Sequence, residues 1–337
     1  MTLWLALPFV CIACLCFTAG LRKYALASNL IDVPNARSSH SVPTPRGGGV
    51  AIVCVFLMTA LYLAFSNVVE WSLAWVFVVS GGGVAILGFL DDHGHIAARW
   101  RLLGHFSASI LAVFLLGGLP EIVVFDYSVN LAWLGSIFAV LYLVWMLNLY
   151  NFMDGIDGLA SVEAICVCCG AAFVAWLSGY PELIWLPLLL AATVAGFLYW
   201  NFPPARIFMG DAGSGFLGIT LGILSLQASW VNSNFIYVWL ILMGVFIVDA
   251  TMTLFRRLLR GDKVYEAHRS HAYQFASRHF GSHRVVTLAV CGINIFWLLP
   301  WAVSVVVLGV DGMTALLLAY VPLLVVALKF NAGGLEK

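Results

Sequence analysis

Asn148-Leu-Tyr-Asn151-Phe-Met-Asp154-Gly-Ile-Asp157-Gly158-Leu-Ala sets two carboxamides, two carboxylates and two glycines between two strongly apolar segments. Its polar side chains recur at every third position. Charge that close to lipid is expensive and seldom kept without a task. In a 3₁₀ turn the four would stack on one face; in an α-helix they would spread across half the surface. Gly155 and Gly158 favour a broken helix, from whose loop the polar groups converge. Asn offers donors and acceptors, ionised Asp only acceptors. That mixture suits a nucleotide or a sugar better than a bare metal. An EF-hand would need a longer run of oxygen ligands and a terminal Glu.

The segments on either side belong to a series. Hydrophobic residues make up 63% of the chain and charged residues 9%, which excludes an ordinary soluble domain. Apolar runs near the length of a bilayer crossing recur throughout. They place eleven spans at 3–21, 47–65, 71–90, 102–119, 131–150, 160–178, 184–202, 215–230, 235–255, 287–307 and 313–330, with ten as the lower count. Span 215–230 is short and can extend into 213–214. The spans are helices, because lipid leaves backbone groups no partner outside the segment. Barrel strands would be about half as long and would alternate in polarity. The fold class is therefore all-α and polytopic, a single membrane domain over 1–337. All 16 Lys and Arg then fall on one side. The opposite loops carry Glu70, Glu121, Asp126, Glu182 and Asp311. By the positive-inside rule the N-terminus faces outward and the C-terminus the cytoplasm. The first span lacks a basic n-region and reads as a retained helix. The eight cysteines all lie in apolar spans and read as small apolar filler.

Chemistry is expected in the cytoplasmic loops 22–46, 91–101, 148–160, 203–214 and 256–286. Arg46 follows a Pro-rich approach and precedes Gly47-Gly48-Gly49; it can anchor topology or meet a phosphate. His40 reads as a surface histidine. Asp91 and Asp92 end the third span, and adjacent carboxylates repel unless a cation is near. A magnesium-bound phosphate would be such a partner. Asn201-Phe-Pro-Pro-Ala-Arg206-Ile-Phe-Met-Gly210-Asp211-Ala-Gly213-Ser214-Gly215 opens a helix with accessible amides, which favours phosphate. Asp211 offers a hard oxygen ligand for Mg²⁺. Asp249 is balanced between a structural and a functional reading. The loop 256–286 carries His268, Arg269 and His271, groups suited to a diphosphate.

Taken in order, Asp91-Asp92, the Asn148–Ala160 run, Met209-Gly-Asp-Ala-Gly-Ser214 and the late His loop resemble the polyprenyl-phosphate N-acetylhexosamine-1-phosphate transferases (glycosyltransferase family 4). The resemblance extends to Pro34-Asn-Ala-Arg37 and Pro43-Thr-Pro-Arg-Gly-Gly, and looks nearest to the bacterial O-antigen-initiating branch. It implies transfer of a sugar 1-phosphate from a UDP-N-acetylhexosamine to undecaprenyl phosphate. The products would be undecaprenyl-diphosphate sugar and UMP, in the first membrane step of lipopolysaccharide synthesis at the bacterial inner membrane. It further implies Mg²⁺, with Mn²⁺ as a substitute, held by Asp211. Asp91, Asp92 and His271 would be catalytic. Arg46, Asn148, Asn151, Asp154, Asp157, His268 and Arg269 would bind substrate. His271-Ala-Tyr273-Gln274 departs from the family's His-x-His-His pattern, and some relatives carry a basic residue where His95 stands. No nucleic-acid partner is expected, and a homodimer is left open. An ion-coupled transporter is the alternative, disfavoured because most acids sit at the membrane edge. An intramembrane aspartyl protease would want Gly-x-Gly-Asp, where this chain has Phe208-Met-Gly-Asp211.

Overall fold

Every apolar segment of the sequence folds as helix in the computed structural model, which describes residues 3–34, 38–94, 96–125, 127–263 and 268–335. Asn35 to Arg37, His95, Asp126 and Lys337, which figure in the sequence reading, lie outside the described residues. In chain order the helices are α1 (Leu3–Ala27), α2 (Gly49–Phe65), α3 (Trp71–His93), α4 (Ala98–Leu116), α5 (Ala132–Met153), α6 (Leu159–Leu177), α7 (Pro181–Asn201) and α8 (Asp211–Val231). After these come α9 (Phe235–Leu242), α10 (Gly244–Arg260), α11 (Ala272–Phe280), α12 (His283–Val307) and α13 (Gly312–Lys329). Among the described residues nine helices are long and apolar enough to cross a membrane, or ten if α9 and α10 form one span.

The expected eleven spans differ from this at two places. α2 has 17 residues, about 25 Å of helix at 1.5 Å per residue, a little short of the hydrocarbon core. The span expected at 235–255 is interrupted at Met243, and α9 and α10 meet at 70°. α10 is amphipathic and leaves Phe255, Leu258 and Leu259 exposed, the pattern of a helix lying in a membrane interface. The span expected at 215–230 begins earlier, at Asp211.

α8 is the central helix. In its most apolar stretch 83% of residues are buried, against 17% for α4 at the rim. Small residues explain how neighbours come so close. A Cβ on Gly218 would stand 2.5 Å from the Met146 carbonyl oxygen, and one on Gly213 would stand 2.6 Å from the Gly49 Cα. α5, α3 and α2 pack on α8, while α1 and α6 pack on α7. α9 leans on α12 and α13, and α10 on α13.

Two small hairpins complete the chain. β1 (Ile31–Asp32) pairs antiparallel with β2 (Thr44–Pro45), Ile31 opposite Pro45. β3 (Ile122–Val124) and β4 (Tyr127–Val129) pair between α4 and α5. The first hairpin matters for the site. Phe208 N–H donates to the Pro45 carbonyl at 2.8 Å, Gly48 N–H to Phe208 O at 2.9 Å, and Gly49 N–H to Met209 O at 2.8 Å. These bonds fasten the Pro-rich loop to the segment leading into Asp211.

Candidate active site at one end of the helix bundle

α5 ends at Met153 and α6 begins at Leu159, so Asp154 to Gly158 form the expected break. Gly158 adopts φ +73°, a conformation that favours glycine. Its N–H donates to Asn201 Oδ1 at 3.0 Å, and Asn201 Nδ2 donates to the Ile207 carbonyl at 3.1 Å. Asn201 thereby ties the loop after α5 to the loop after α7.

Asp211 is the first residue of α8. Asn151 Nδ2 donates to its Oδ1 at 2.9 Å and lies 3.0 Å from Ser214 Oγ. Arg101 Nη1 is 2.6 Å from Asp91 Oδ2 and 3.7 Å from Asp211 Oδ2, so one guanidinium serves both carboxylates. Asp91 also accepts the Ile96 N–H at 2.8 Å. Asp92 is 4% exposed and accepts the Ala212 N–H at 3.4 Å. Its carboxylate lies at the positive end of α8, where anions are favoured. Gly88 lets α3 reach this point, since a Cβ there would fall 2.5 Å from the Asp211 backbone.

Asp92, Asn151, Asp154, Asp157 and Asp211 open onto one cleft of about 280 Å³, with Arg46 and Gln274 on its walls. Arg46 donates to the Asp92 carbonyl oxygen, and its Nε is buried without a partner. Asp91 faces a narrow slot beside this cleft, shared with Arg101, His105 and Asp211. A second cavity of about 760 Å³ adjoins the cleft across Asp157 and His283 and carries Arg269, Arg278 and Arg284.

Asp154 sits among three other carboxylates. Burial, then the charges of Asp211, Asp92 and Asp157, push its carboxyl well above the usual range. Asp157 goes the other way. Burial opposes its charge, but the His283 ring and the Ala205 N–H outweigh that and hold the carboxyl below the usual range. His283 Nδ1 is 3.3 Å from Asp157 Oδ1, and Ala205 N–H donates to Oδ2 at 3.0 Å.

Other expected residues stand elsewhere. Asn148 donates to the Val144 carbonyl at 2.7 Å within α5 and does not line the cleft. His271 is 3% exposed, stacked between His268 and Tyr273. It caps α11 behind the cleft wall. Burial, then His271 and Arg257, push the His268 imidazole down to about 3. The structure adds His283, His40 and Arg101. His40 lines the cleft with its ring against Phe208 at 4.8 Å, where a plain surface histidine was expected. The partner of His283 is 126 residues away, so it carries no local signal, whereas Arg101 follows Asp91 by ten residues and only its second carboxylate, Asp211, is distant.

Among the described residues no three His, Cys, Asp or Glu side chains converge as a ready cage for a metal ion. Mg²⁺ takes one or two carboxylates and completes its shell with water and phosphate oxygens, so it does not require such a cage. Asp211, with its side chain 38% exposed, is open to such an ion.

A bundle of membrane-spanning helices with carboxylates convergent at one edge defines a polytopic membrane enzyme. Residues 74–229 match the model of glycosyl transferase family 4. This match and the relatives below support the polyprenyl-phosphate hexosamine-1-phosphate transferases as the family this chain is similar to. It is 29% identical over 282 residues to a probable undecaprenyl-phosphate N-acetylglucosaminyl 1-phosphate transferase of Bacillus subtilis (strain 168), covering 82% of this chain and 77% of the relative. It is 34% identical over 211 residues to a phospho-N-acetylmuramoyl-pentapeptide-transferase of Bartonella quintana, covering 54% and 58%. A decaprenyl-phosphate N-acetylglucosaminephosphotransferase of Mycolicibacterium smegmatis is 28% identical over 312 residues, covering 81% and 75%.

Proposed function

We propose that this protein transfers an N-acetylhexosamine 1-phosphate from a UDP-sugar to undecaprenyl phosphate, releasing UMP. The lipid phosphate oxygen attacks the β-phosphorus, a new P–O–P bond forms, and the α–β bond breaks with its electron pair leaving on UMP. The observation that carries this reading is the meeting of Asp92, Asn151, Asp154 and Asp211, from three separate helix ends, at one cleft. The names of the relatives support the substrate pair.

The lipid phosphate is already anionic at neutral pH, so it needs little activation. Positioning and charge neutralisation then carry most of the catalysis. Arg46 and the N-terminus of α8 face the phosphates, and Asn151, Asp154 and Asp157 hold the nucleotide-sugar. Asp211 would hold Mg²⁺ or Mn²⁺, an ion that would supply charge neutralisation on the diphosphate. Asp91 fixes Arg101 beside that carboxylate. Arg269 faces the far part of the donor from the adjoining cavity, while His268 and His271 shape the loop that carries it. The distribution of Lys and Arg supports a cytoplasmic site in the bacterial inner membrane, with the product feeding O-antigen or another surface glycan.

The test is a panel of UDP-N-acetyl sugars with purified protein, Mg²⁺ and undecaprenyl phosphate. UMP should appear from at least one donor, and only when the lipid phosphate is present. UMP release without lipid, or none with any donor, would rule the reading out.

A further inference from the structure

α11 begins with N–H groups that have no partner inside the helix. A side chain from α10 accepts them. Asp249, 5% exposed, takes the Ala272 N–H on Oδ1 at 2.9 Å and the Tyr273 N–H on Oδ2 at 3.0 Å. Thr253 Oγ1 donates to Oδ1 at 3.1 Å, and His271 Nδ1 stands 3.4 Å from the same oxygen. Both oxygens of a buried carboxylate are thus used to hold one helix end, where negative charge is favoured.

Tyr273 carries that constraint to the cleft. Its side chain is buried and its hydroxyl donates to the Phe152 carbonyl at 2.9 Å. Phe152 lies in the last turn of α5, whose carbonyls also lack intrahelical partners. It precedes Asp154 by two residues. A Cβ on Gly155 would fall 2.1 Å from the same hydroxyl, so the turn is shaped around Tyr273.

We propose that Asp249 is a positioning residue: through the N-terminus of α11 and the Tyr273 hydroxyl it fixes the turn that presents Asp154. Its catalytic consequence rests on the reading of Asp154 as part of the site. Asp249 does not line the cleft. Asp249 and Tyr273 lie outside residues 74–229, the part that matches the family model, whereas the turn they hold lies inside it.

Hydrogen–deuterium exchange on the full chain in nanodiscs reads the joint directly. Tyr273→Phe removes one hydroxyl, and Asp249→Ala removes the acceptor. Both should raise exchange over residues 152–158 severalfold and leave α8 unchanged. In the UMP-release assay each should lower kcat about tenfold or more with the donor KM within about twofold, since small misplacements act on rate. The double variant should lose no more than the worse single, because both act through one joint. Asp249→Asn, which keeps one acceptor oxygen, should recover part of the loss. Unchanged exchange at 152–158 in both single variants, or additive losses in the double, overturns the proposal. Should the wild type turn over no UDP-sugar, the reaction assignment falls and the exchange comparison alone decides the joint.

Discussion

The Asn151 amide donates to the Asp211 carboxylate at 2.9 Å, across sixty residues of sequence. This bond joins the end of α5 to the start of α8 and orients the carboxylate that is open to a cation. It also separates the roles of the three aspartates nearby. Asp91 is engaged by Arg101 and Asp92 by the Ala212 N–H, so each already has a structural partner. Asp211→Asn should therefore lower kcat by about 100-fold or more, the scale of losing electrostatic stabilisation in a site. Asp91→Asn and Asp92→Asn should each cost clearly less. A rate profile that follows one carboxyl titration and vanishes in Asp91→Asn or Asp92→Asn would instead make that residue a general base.

Close backbone approach makes Gly88 a sharp probe of how α3 meets α8. A Cβ there would sit 2.5 Å from the Asp211 carbonyl carbon, whereas one on Gly83 of the same helix meets nothing within 4 Å. Gly88→Ala should destabilise by about 1–3 kcal/mol, the usual cost of overpacking, and should displace Asp211 enough to depress activity. Gly83→Ala should be neutral or slightly stabilising. Thermal unfolding of both variants in the same detergent provides the comparison. Equal midpoints would contradict the helix contact.

The spans were legible because hydropathy reports burial in lipid directly. Asp91, Asp92, Asp154 and Asp211 were legible because charge at a membrane edge has few ordinary explanations. Other features depended on partners no local pattern reveals. His283 meets Asp157 across 126 residues and Ser39 across 244, so its place in the cleft wall is purely tertiary. The break at Met243 is similar. A continuous apolar run hides it, and only Gly244 hints at it. Asn148 shows the opposite failure. It keeps the three-residue spacing of the motif, yet α5 continues as an α-helix to Met153, and three-residue steps on an α-helix drift around the axis. The ladder is thus a loop at Asp154 and Asp157 and a helix face at Asn151.

Asp154 and Asp157 respond to pH in opposite senses. Asp157 is held below the usual carboxylate range by its partners despite burial. Its contribution to stability is present above that range and disappears as pH falls through the lowered value. Asp154 is pushed above the range, so in a chelator its ionisation costs stability as pH rises from about 4 towards the raised value. Asp154→Asn should then raise the unfolding midpoint at pH 7–8 while abolishing turnover, a site strained for its chemistry. Asp157→Asn should lower the midpoint at neutral pH and flatten its acid limb. Parallel pH profiles for the two variants would refute the assignment.

Deeper in the bundle, Asn294 Nδ2 donates to Glu163 Oε2 at 2.6 Å, joining α12 to α6 where both residues are almost fully buried. The Phe246 N–H, at the start of α10, lies against the same carboxylate. The pair therefore stands beside the break between α9 and α10, where backbone donors lose their helical partners. A buried carboxyl is costly chiefly when its partner is removed. Asn294→Leu leaves Glu163 without its side-chain donor and should destabilise by about 3 kcal/mol. Glu163→Gln keeps an oxygen for the Asn294 amide and should cost about 1 kcal/mol. Glu163→Leu combined with Asn294→Leu should recover part of the Asn294→Leu loss, because no unpaired carboxyl remains. Midpoints in nanodiscs for the three variants decide it. If Asn294→Leu proves milder than Glu163→Gln, the hydrogen bond is not what holds α12 against α6 at this depth.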